Sequence, residues 1–377
     1  MWNHKVLTRL DFRTIPIIFL LMICSIFVIS ATTTEYSTLE TAPFLTPHVK
    51  NQIKRFAIGW LCYVFFAGLD YHKFRDWSWI IYFTTVLLLM GLFFTHPIQN
   101  VHRWYRLPFV GGTIQPSEYA KLSLIFLLSD FLEKKGRSVE DKSVVFQAII
   151  LAIIPFYLIL KQPDLGSAMV LYPITLGMFY FGGLRYKVVK TMTFIGCMGL
   201  VAITLIFSGV VDHKEAKPIV LKFLKPYQYE RFDPNTYHHQ SAKTAIALGK
   251  YFGSGFKKSI FTGRQFLPAA HTDSVFPAFV EEFGFFGAVV MLGLFFGLIY
   301  CSFQVTAVAR DHFGRVLSAG VAMYLAVHVI INIGMMCGFL PITGVPLILV
   351  TYGGSSVTLT MSALGILQSI YTRRFMF

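Results

Sequence analysis

Long runs of apolar residues, separated by shorter polar stretches, divide the chain into ten segments. Each run has roughly the 20 residues that an α-helix needs to cross the hydrocarbon core of a bilayer. The pattern therefore predicts an all-α integral membrane protein with about ten transmembrane helices. The segments are 14–33, 55–70, 77–96, 115–133, 144–162, 166–184, 188–210, 278–304, 315–338 and 354–372.

The composition agrees with a membrane protein, because 55% of the residues are hydrophobic and 14% are charged. Soluble domains carry about 25% charged residues. The net charge of +14 raises the question of nucleic acid, but in a membrane protein such an excess reflects cytoplasmic loops. We therefore expect no nucleic-acid partner. The five cysteines form no C-x-x-C pair, so neither a disulfide framework nor a zinc site is indicated.

Lysine and arginine are concentrated at both termini and in the loops after the second, fourth, sixth and eighth segments. Because cytoplasmic loops carry the excess of positive residues, this distribution places both termini in the cytoplasm. We treat residues 1–377 as one polytopic membrane domain. Residues 211–277 then form a long extracytoplasmic loop between the seventh and eighth helices.

Two features of the long loop carry predictions of their own. The stretch 241–256, "SAKTAIALGKYFGSGF", has the mixed character of an amphipathic helix lying on a membrane surface. The neighbouring pair His238 and His239 is expected on the surface of the loop.

Acidic residues are scarce, yet five of them fall at the outer edge of the predicted membrane region. Charges at membrane depth usually face a bundle interior or a wet cavity. We therefore expect a polar site at the outer surface. The five residues are Glu118, Asp164, Asp273, Glu281 and Glu282.

Structural alternatives exist for most of these acids. Lys121 follows Glu118 by three residues and shares its helix face, so the two could form an ion pair that only holds helices together. Glu281 and Glu282 begin a predicted helix, where acids are favoured by the helix dipole. Asp273 has no comparable structural explanation.

Polar neighbours of these acids are also candidates. His271 and Thr272 are the two residues before Asp273. We expect the histidine to be a hydrogen-bonding partner and not a metal ligand, because no second histidine stands at metal-ligand spacing. Arg103 and Trp104 lie in an outer patch, where tryptophan could anchor the membrane interface and arginine could bind phosphate.

The stretch 338–356, "GFLPITGVPLILVTYGGSS", is too rich in proline and glycine for an ordinary transmembrane helix. Irregular backbone at membrane depth is tolerated only against protein or water. We expect a re-entrant or capping segment on the outer side; a passive connection between helices is the alternative. From the residues alone, the site suits a lipid-linked, phosphate-bearing substrate or a transporter.

Several stretches, occurring in one order, resemble the SEDS family (shape, elongation, division and sporulation). Within that family the compact spacing of "TGVPLILVTYGGSS" and the ending "GILQSIYTRR" favour the elongation branch. The matching stretches are "RWYRLPFVGGTIQPSEYAK", "QPDLGSAMV", "RFDPNTY", "HTDSVFPAFVEEFGFFG" and "GFLPITGVPLILVTYGGSS".

The resemblance implies a peptidoglycan glycosyltransferase that polymerises lipid II at the outer face of the bacterial cytoplasmic membrane. It implies a class B penicillin-binding protein as partner and a divalent cation, Mg²⁺ or Mn²⁺, as cofactor; no metal motif stands in the sequence itself. The family's essential aspartate falls on Asp273. Its other functional positions match Arg103, Trp104, Glu118, Lys121 and Asp164.

The expected reaction joins sugars by a β-1,4 link while an α-linked pyrophosphate leaves, which is an inversion. One carboxylate base therefore suffices, and we assign this role to Asp273. Arg103, Lys121 and the cation are candidates to hold the pyrophosphate. A lipid II flippase and a non-catalytic scaffold for a penicillin-binding protein remain alternatives. The sequence departs from the family pattern at Ala269, where glutamate is usual, and at Ser274 and Thr351.

Overall fold

The computed structural model describes residues 8–33, 43–95, 102–106, 113–207, 210–211, 233 and 235–375. Residues 212–232 and 234, which make up most of the predicted long loop before His238 and His239, lie outside the described residues, as do residues 107–112 of the outer patch. The helices are α1 (Thr14–Thr32), α2 (Pro47–Gly68), α3 (His72–Gly91), α4 (Pro116–Lys135), α5 (Lys142–Lys161), α6 (Leu165–Phe181), α7 (Tyr186–Phe207), α8 (Tyr237–Gly249), α9 (Ile260–Gly263), α10 (Val275–Val308), α11 (His312–Met336) and α12 (Gly354–Thr372). Two short strands, β1 (Tyr105–Arg106) and β2 (Thr113–Ile114), pair antiparallel.

The predicted helical fold is confirmed, since each of the ten apolar segments corresponds in order to one of the long helices. Within the described ranges, six helices are long and apolar enough to cross a membrane: α1, α3 with its following 3₁₀ turn, α5, α7, α10 and α11. Helix α6 is apolar but shorter. A crossing by all ten helices stays a prediction.

Helix α2 shows why apolar runs underestimate helix length. It begins at Pro47, whereas the apolar run predicts a start at residue 55. Thr46 caps it by accepting from the N–H of Val49 at 3.3 Å, and proline suits the first helical turn. The first two turns carry Lys50 and Lys54, so hydropathy alone excludes them.

Helices α4, α11 and α12 form the interior of the bundle, and their residues are mostly buried. Helix α11 packs against α4, α6, α10 and α12, while α2 packs along α12 and α3 along α4. Polar side chains on such enclosed helices must find partners, because an unpaired buried polar group costs free energy.

Helix α10 is broken at Gly284, whose φ of 68° and ψ of −166° are not helical. The break frees main-chain groups that the neighbouring segment 250–255 then pairs. The N–H groups of Ser254 and Gly255 donate to the carbonyls of Glu281 and Glu282, at 2.9 and 3.0 Å. Glycine is required here, since a Cβ at Gly284 would lie 2.3 Å from the main-chain nitrogen of Gly253.

A helix covers only the first part of the predicted stretch 241–256, because α8 spans Tyr237–Gly249; its position on a membrane surface stays a prediction. The expectation of a surface position is wrong for His239, whereas His238 is half-buried. His239 is fully buried, while the ring of His238 contacts Ser274 Oγ at 2.8 Å. Burial, with the nearby positive charges of Lys243 and His238, lowers the pKa of His239 to about 4.

The segment 337–353, between α11 and α12, contains neither helix nor strand. This confirms the prediction of irregular backbone. Its residues Leu347 and Ile348 have no exposed surface, and Ser25 and Gln52 donate to the carbonyls of Val350 and Thr351 at 2.7 and 3.3 Å. Protein groups therefore replace water for this backbone, as a membrane setting requires.

Candidate functional site

Asp273 lies in the turn that connects α9 to α10, and it is half-buried. The carbonyl of Ala269 closes this turn by accepting from the N–H groups of Thr272 and Ser274, at 3.0 and 3.1 Å. Ala269 itself has a φ of 51°, a left-handed conformation that L-residues adopt at a cost. The turn places Asp273 directly before Ser274, the N-cap residue of α10.

Two hydrogen bonds fasten this turn to the end of segment 337–353. The N–H of Tyr352 donates to the carbonyl of His271 at 3.0 Å. The hydroxyl of Thr351 lies 3.2 Å from the carbonyl of Thr272. Consequently the residues on the N-terminal side of Asp273 are held by a different part of the chain.

A third attachment involves Asn332 of α11. Its amide nitrogen donates to the carbonyl of Asp273 at 3.1 Å and to that of Val345 at 2.7 Å. Next to Val345 stands Gly344, with a φ of 76°; a Cβ there would lie 3.4 Å from Asp273 Oδ2. The carboxylate of Asp273 therefore lies close to Gly344, one of the four residues 343–346, which we call the 343–346 segment.

The pair Glu118 and Lys121 is connected to the same segment through His328. Lys121 Nζ lies 2.7 Å from Glu118 Oε1 and 2.8 Å from His328 Nε2. His328 Nδ1 in turn lies 3.3 Å from the carbonyl oxygen of Pro346. A chain of three side chains thus connects α4, through α11, to the 343–346 segment.

Lys121 has no exposed surface, and Glu118 is 5% exposed. The ammonium group therefore contacts protein groups in this arrangement. Glu118 Oε2 has no hydrogen-bond partner among the described residues. Buried ion pairs are poor stabilisers unless their remaining hydrogen bonds are satisfied, so stability alone does not explain the pair.

Asp164 is the N-cap of α6 and accepts from several donors around it. Its Oδ2 lies 2.9 Å from Gln115 Nε2, 3.0 Å from Ser117 Oγ and 2.9 Å from Ser167 Oγ. The first turn of α6 packs on the 343–346 segment, since a Cβ at Gly166 would meet the carbonyl oxygen of Thr343. Asp164 thus orients α6 against that segment.

Arg103 lies beside the same connection, and its guanidinium donates to the carbonyls of Gln162 and Pro163. The contact to Gln162 measures 3.4 Å. Trp104 is half-buried in the short stretch before β1. Arg103 is therefore placed directly before Asp164, as a group that joins the outer patch to α6.

Glu281 and Glu282 hold the segment before the Asp273 turn. Glu281 accepts from the N–H groups of Phe261 and Thr262, at 3.0 and 3.1 Å. Glu282 accepts from the N–H of Lys257 at 2.6 Å and from the hydroxyl of Ser259. Both carboxylates are buried, so they anchor residues 257–262 to α10.

Sequence reasoning missed a ring cluster on the other side of the turn. The rings of His48 and His271 each lie near that of Tyr352, with centroids 5.3 and 5.9 Å apart, and the Arg55 guanidinium stacks 4.1 Å over it. Burial, with the nearby His48, lowers the pKa of His271. The ring of His271 therefore packs among these side chains, and its role as a hydrogen-bonding partner stays a prediction.

It also missed His328 and Asn332, which make the central contacts. Both lie in the predicted segment 315–338 and are spaced by four residues, so they share a helix face. Polar residues in a transmembrane segment are expensive and usually functional. That spacing was the available signal.

Comparison with known proteins decides the family. Residues 12–375 match the model of the FtsW, RodA and SpoVE proteins, described as cell cycle protein. The chain belongs to this SEDS family. The resemblance seen in the sequence motifs is thus confirmed over almost the whole length.

Curated relatives of this SEDS protein include both branches. The probable peptidoglycan glycosyltransferase FtsW of Trichlorobacter lovleyi is 31% identical, over 85% of this chain and 83% of the relative. The peptidoglycan glycosyltransferase MrdB of Escherichia coli K12 is 31% identical, over 87% of this chain and 86% of the relative. The two identities are equal, so identity does not separate the branches.

Solved structures share the fold. The crystal structure of the rod shape determining protein RodA of Thermus thermophilus has a TM-score of 0.70 at 22% identity, and covers 98% of each chain. A chain from a peptidoglycan synthase complex has a TM-score of 0.76 at 24% identity, covering 98% of this chain and 99% of that one. The described helices of this chain thus have the arrangement of these SEDS structures.

Two departures from the SEDS motif lie at contacts of the Asp273 turn. Thr351 stands where serine is common, and its hydroxyl still bonds the turn. Ala269 replaces glutamate, and its main chain, which does not depend on the side chain, closes the turn. Both replacements therefore leave the main-chain framework around Asp273 intact.

Proposed function

We propose that this SEDS protein is a peptidoglycan glycosyltransferase of the elongation branch that polymerises lipid II. It would act at the outer face of the bacterial cytoplasmic membrane, with both termini in the cytoplasm. The names of the curated relatives support the activity. The observation that carries the site is the carboxylate of Asp273, held by its turn against the main chain of Gly344.

Asp273 acts as general base in this proposal. It accepts the proton of the acceptor 4-hydroxyl as that oxygen bonds to the anomeric carbon of the donor. The bond from the anomeric carbon to the pyrophosphate oxygen breaks, and the pyrophosphate keeps the electron pair. Attack opposite the leaving group inverts the α-linkage to β, so a single carboxylate is sufficient.

Pyrophosphate leaves with negative charge, which positive groups would stabilise. Arg103 is the better placed of the two proposed cations, because it lies beside the N-terminus of α6. Lys121 is enclosed by Glu118 and His328, so contact with pyrophosphate would require it to leave both. We therefore propose Arg103 for direct contact, with Trp104 and Asp164 lining the approach.

We also propose that a divalent cation, Mg²⁺ or Mn²⁺, accompanies the pyrophosphate, as the family resemblance implies. The described residues do not fit a protein-only cation site, since no group of three or more histidine, cysteine or acidic residues is close enough to hold a metal. Mg²⁺ commonly takes most of its ligands from phosphate and water. Removal of divalent cations with a chelator, followed by readdition of Mg²⁺ or Mn²⁺, tests this; full polymerisation without them would refute it.

A class B penicillin-binding protein is the proposed partner. The peptidoglycan synthase complex whose chain shares this fold is described as coordinating polymerisation and crosslinking. A crosslinking enzyme bound to this chain would receive the glycan strands as they form. Co-purification of the chain with such a protein from one expression host checks this pairing.

The decisive experiment gives fluorescent lipid II to the purified chain with its penicillin-binding partner and reads polymer length on a gel. Wild type should make polymer, and Asp273→Asn should make about 10²–10⁴-fold less, the range of general-base catalysis. Asp273→Glu should recover little, because a misplacement of about 1 Å can cost on the order of 10²-fold.

The same experiment separates the other functions. Wild-type yield from Asp273→Asn would refute the catalytic assignment and favour a scaffold. A wild type that makes no polymer, but moves labelled lipid II across vesicle membranes, would favour a flippase. Equal thermal unfolding of wild type and variant is the control for folding.

A further inference from the structure

We propose that His328 is a positioning residue for this reaction: it connects the buried pair Glu118 and Lys121 to the 343–346 segment that Asp273 faces. The inference rests on the proposed function. It differs from the roles assigned above because His328 touches neither Asp273 nor the proposed path of the substrate.

The contacts of His328 define its protonation. Its Nδ1 meets the carbonyl oxygen of Pro346 at 3.3 Å, and a carbonyl only accepts. Its Nε2 meets Lys121 Nζ at 2.8 Å, and a charged ammonium only donates. His328 is therefore a neutral imidazole with its proton on Nδ1. Lys121 donates to His328, and His328 donates to the carbonyl of Pro346.

Consecutive turns of α11 hold consecutive carbonyls of the segment. Asn332, four residues after His328, donates to the carbonyl of Val345 at 2.7 Å. Pro346 has no N–H, so its carbonyl is its only main-chain hydrogen-bonding group. The two side chains therefore determine the direction of the main chain just after Gly344, and with it the surface presented to Asp273.

Loss of the imidazole would disturb both ends of this connection. Lys121 would keep Glu118 as its partner, while the partly buried carbonyl of Pro346 would lose its donor. An acceptor that has lost its partner in such a partly buried place favours movement toward a new one. Movement of the 343–346 segment changes the site of reaction, whereas the remote parts of the substrate still bind; kcat should fall and KM should not.

Two substitutions separate hydrogen bonding from volume. His328→Gln offers an amide N–H to Pro346 and an amide oxygen to Lys121, so it can rebuild both contacts. His328→Phe keeps an aromatic ring of similar size without either contact. We expect kcat for lipid II to fall at least about tenfold in His328→Phe, since small misplacements have large effects, and to stay within about threefold of wild type in His328→Gln.

His239 provides the matched control. It is also a fully buried histidine, but neither ring nitrogen has a hydrogen-bond partner among the described residues. His239→Phe should therefore polymerise lipid II like wild type. If His239→Phe lost as much activity as His328→Phe, the loss would follow from replacing any buried histidine, and the proposal would be overturned.

Coupling to Lys121 gives a second readout. Because His328 and Lys121 act through one connection, the double variant Lys121→Met/His328→Phe should lose about as much kcat as the worse single variant. Multiplying losses would mean independent roles and would overturn the proposal. So would a rise in KM with kcat unchanged, or a His328→Gln variant as impaired as His328→Phe.

The remaining outcomes are also separable. An inactive wild type refutes the proposed function and this inference together, whereas an active wild type with an active His328→Phe variant refutes only the inference. Should His328→Phe fail to fold, ¹⁵N-histidine NMR of the wild-type chain decides: a proton on Nδ1 supports the connection, and one on Nε2 overturns it.

Discussion

The main-chain N–H of Tyr352 donates to the carbonyl of His271 at 3.0 Å, and this bond joins two loops from distant parts of the chain. One loop carries Asp273, and the other contains the 343–346 segment. The position of the proposed base is therefore a property of both loops. Substitutions in the second loop should affect catalysis without touching the carboxylate.

Gly344 tests that dependence. Gly344→Ala adds a methyl group 3.4 Å from Asp273 Oδ2, which displaces water or an acceptor hydroxyl from one carboxylate oxygen. We expect polymerisation of lipid II to fall at least about tenfold, in proportion to the loss of base function. The initial polymerisation rate on purified protein is the measurement.

Gly183 is its matched control. It has the same φ of 76°, but a Cβ there would meet nothing within 4 Å. Both alanine variants should lose about 1–2 kcal/mol of stability from the left-handed backbone. Only Gly344→Ala should lose activity; equal losses of activity would mean that backbone strain alone is responsible.

Exchange of Glu118 and Lys121 tests whether they are only an ion pair. Glu118→Lys combined with Lys121→Glu keeps both charges but places a carboxylate against His328 Nε2, which is an acceptor. We expect at least about tenfold less polymer from a protein that still inserts and purifies, because the network acts as a unit. Near-normal activity would show that the pair serves only to hold helices together.

Glu281 and Glu282 should differ in their tolerance of glutamine. Both oxygens of Glu281 accept main-chain N–H groups, at 3.0 and 3.1 Å, so Glu281→Gln would set an NH₂ group against a donor. This should cost about 1–3 kcal/mol of stability. Glu282→Gln should cost less, because Ser259 can reverse its hydrogen bond and accept.

Thermal unfolding of the detergent-solubilised variants provides that comparison. The melting temperature of Glu281→Gln should fall further than that of Glu282→Gln, and the polymerisation rate of the folded fraction should change less than in Asp273→Asn. A larger loss of stability in Glu282→Gln would contradict the donor and acceptor assignment.

Topology is tested with reporters. A reporter active only in the cytoplasm should be active when fused after Gly136 and silent when inserted within 235–240, because positive loops stay in the cytoplasm. The opposite pattern would reverse the predicted orientation and remove the site from the outer face.

The sequence alone determined the number and order of the long helices. In a membrane, an apolar run of about 20 residues satisfies its main-chain hydrogen bonds within its own helix. Whether it forms a helix therefore does not depend on which helix packs beside it. The sequence also singled out Asp273 and four other acids as candidates, since charge is conspicuous against an apolar background; their role in catalysis stays a prediction. Local chemistry was sufficient for these conclusions.

Tertiary structure alone decided which polar groups meet. The contacts of Lys121 with His328 and of Asn332 with Asp273 join parts of the chain that are far apart in sequence, and hydropathy carries no information about such pairs. Hydropathy did not predict the break at Gly284 either. The main-chain groups that the break frees are paired by the separate segment 250–255, and this pairing exists only in the folded structure. The sequence specifies where charge is buried, but the partner that makes its burial tolerable exists only after the helices pack.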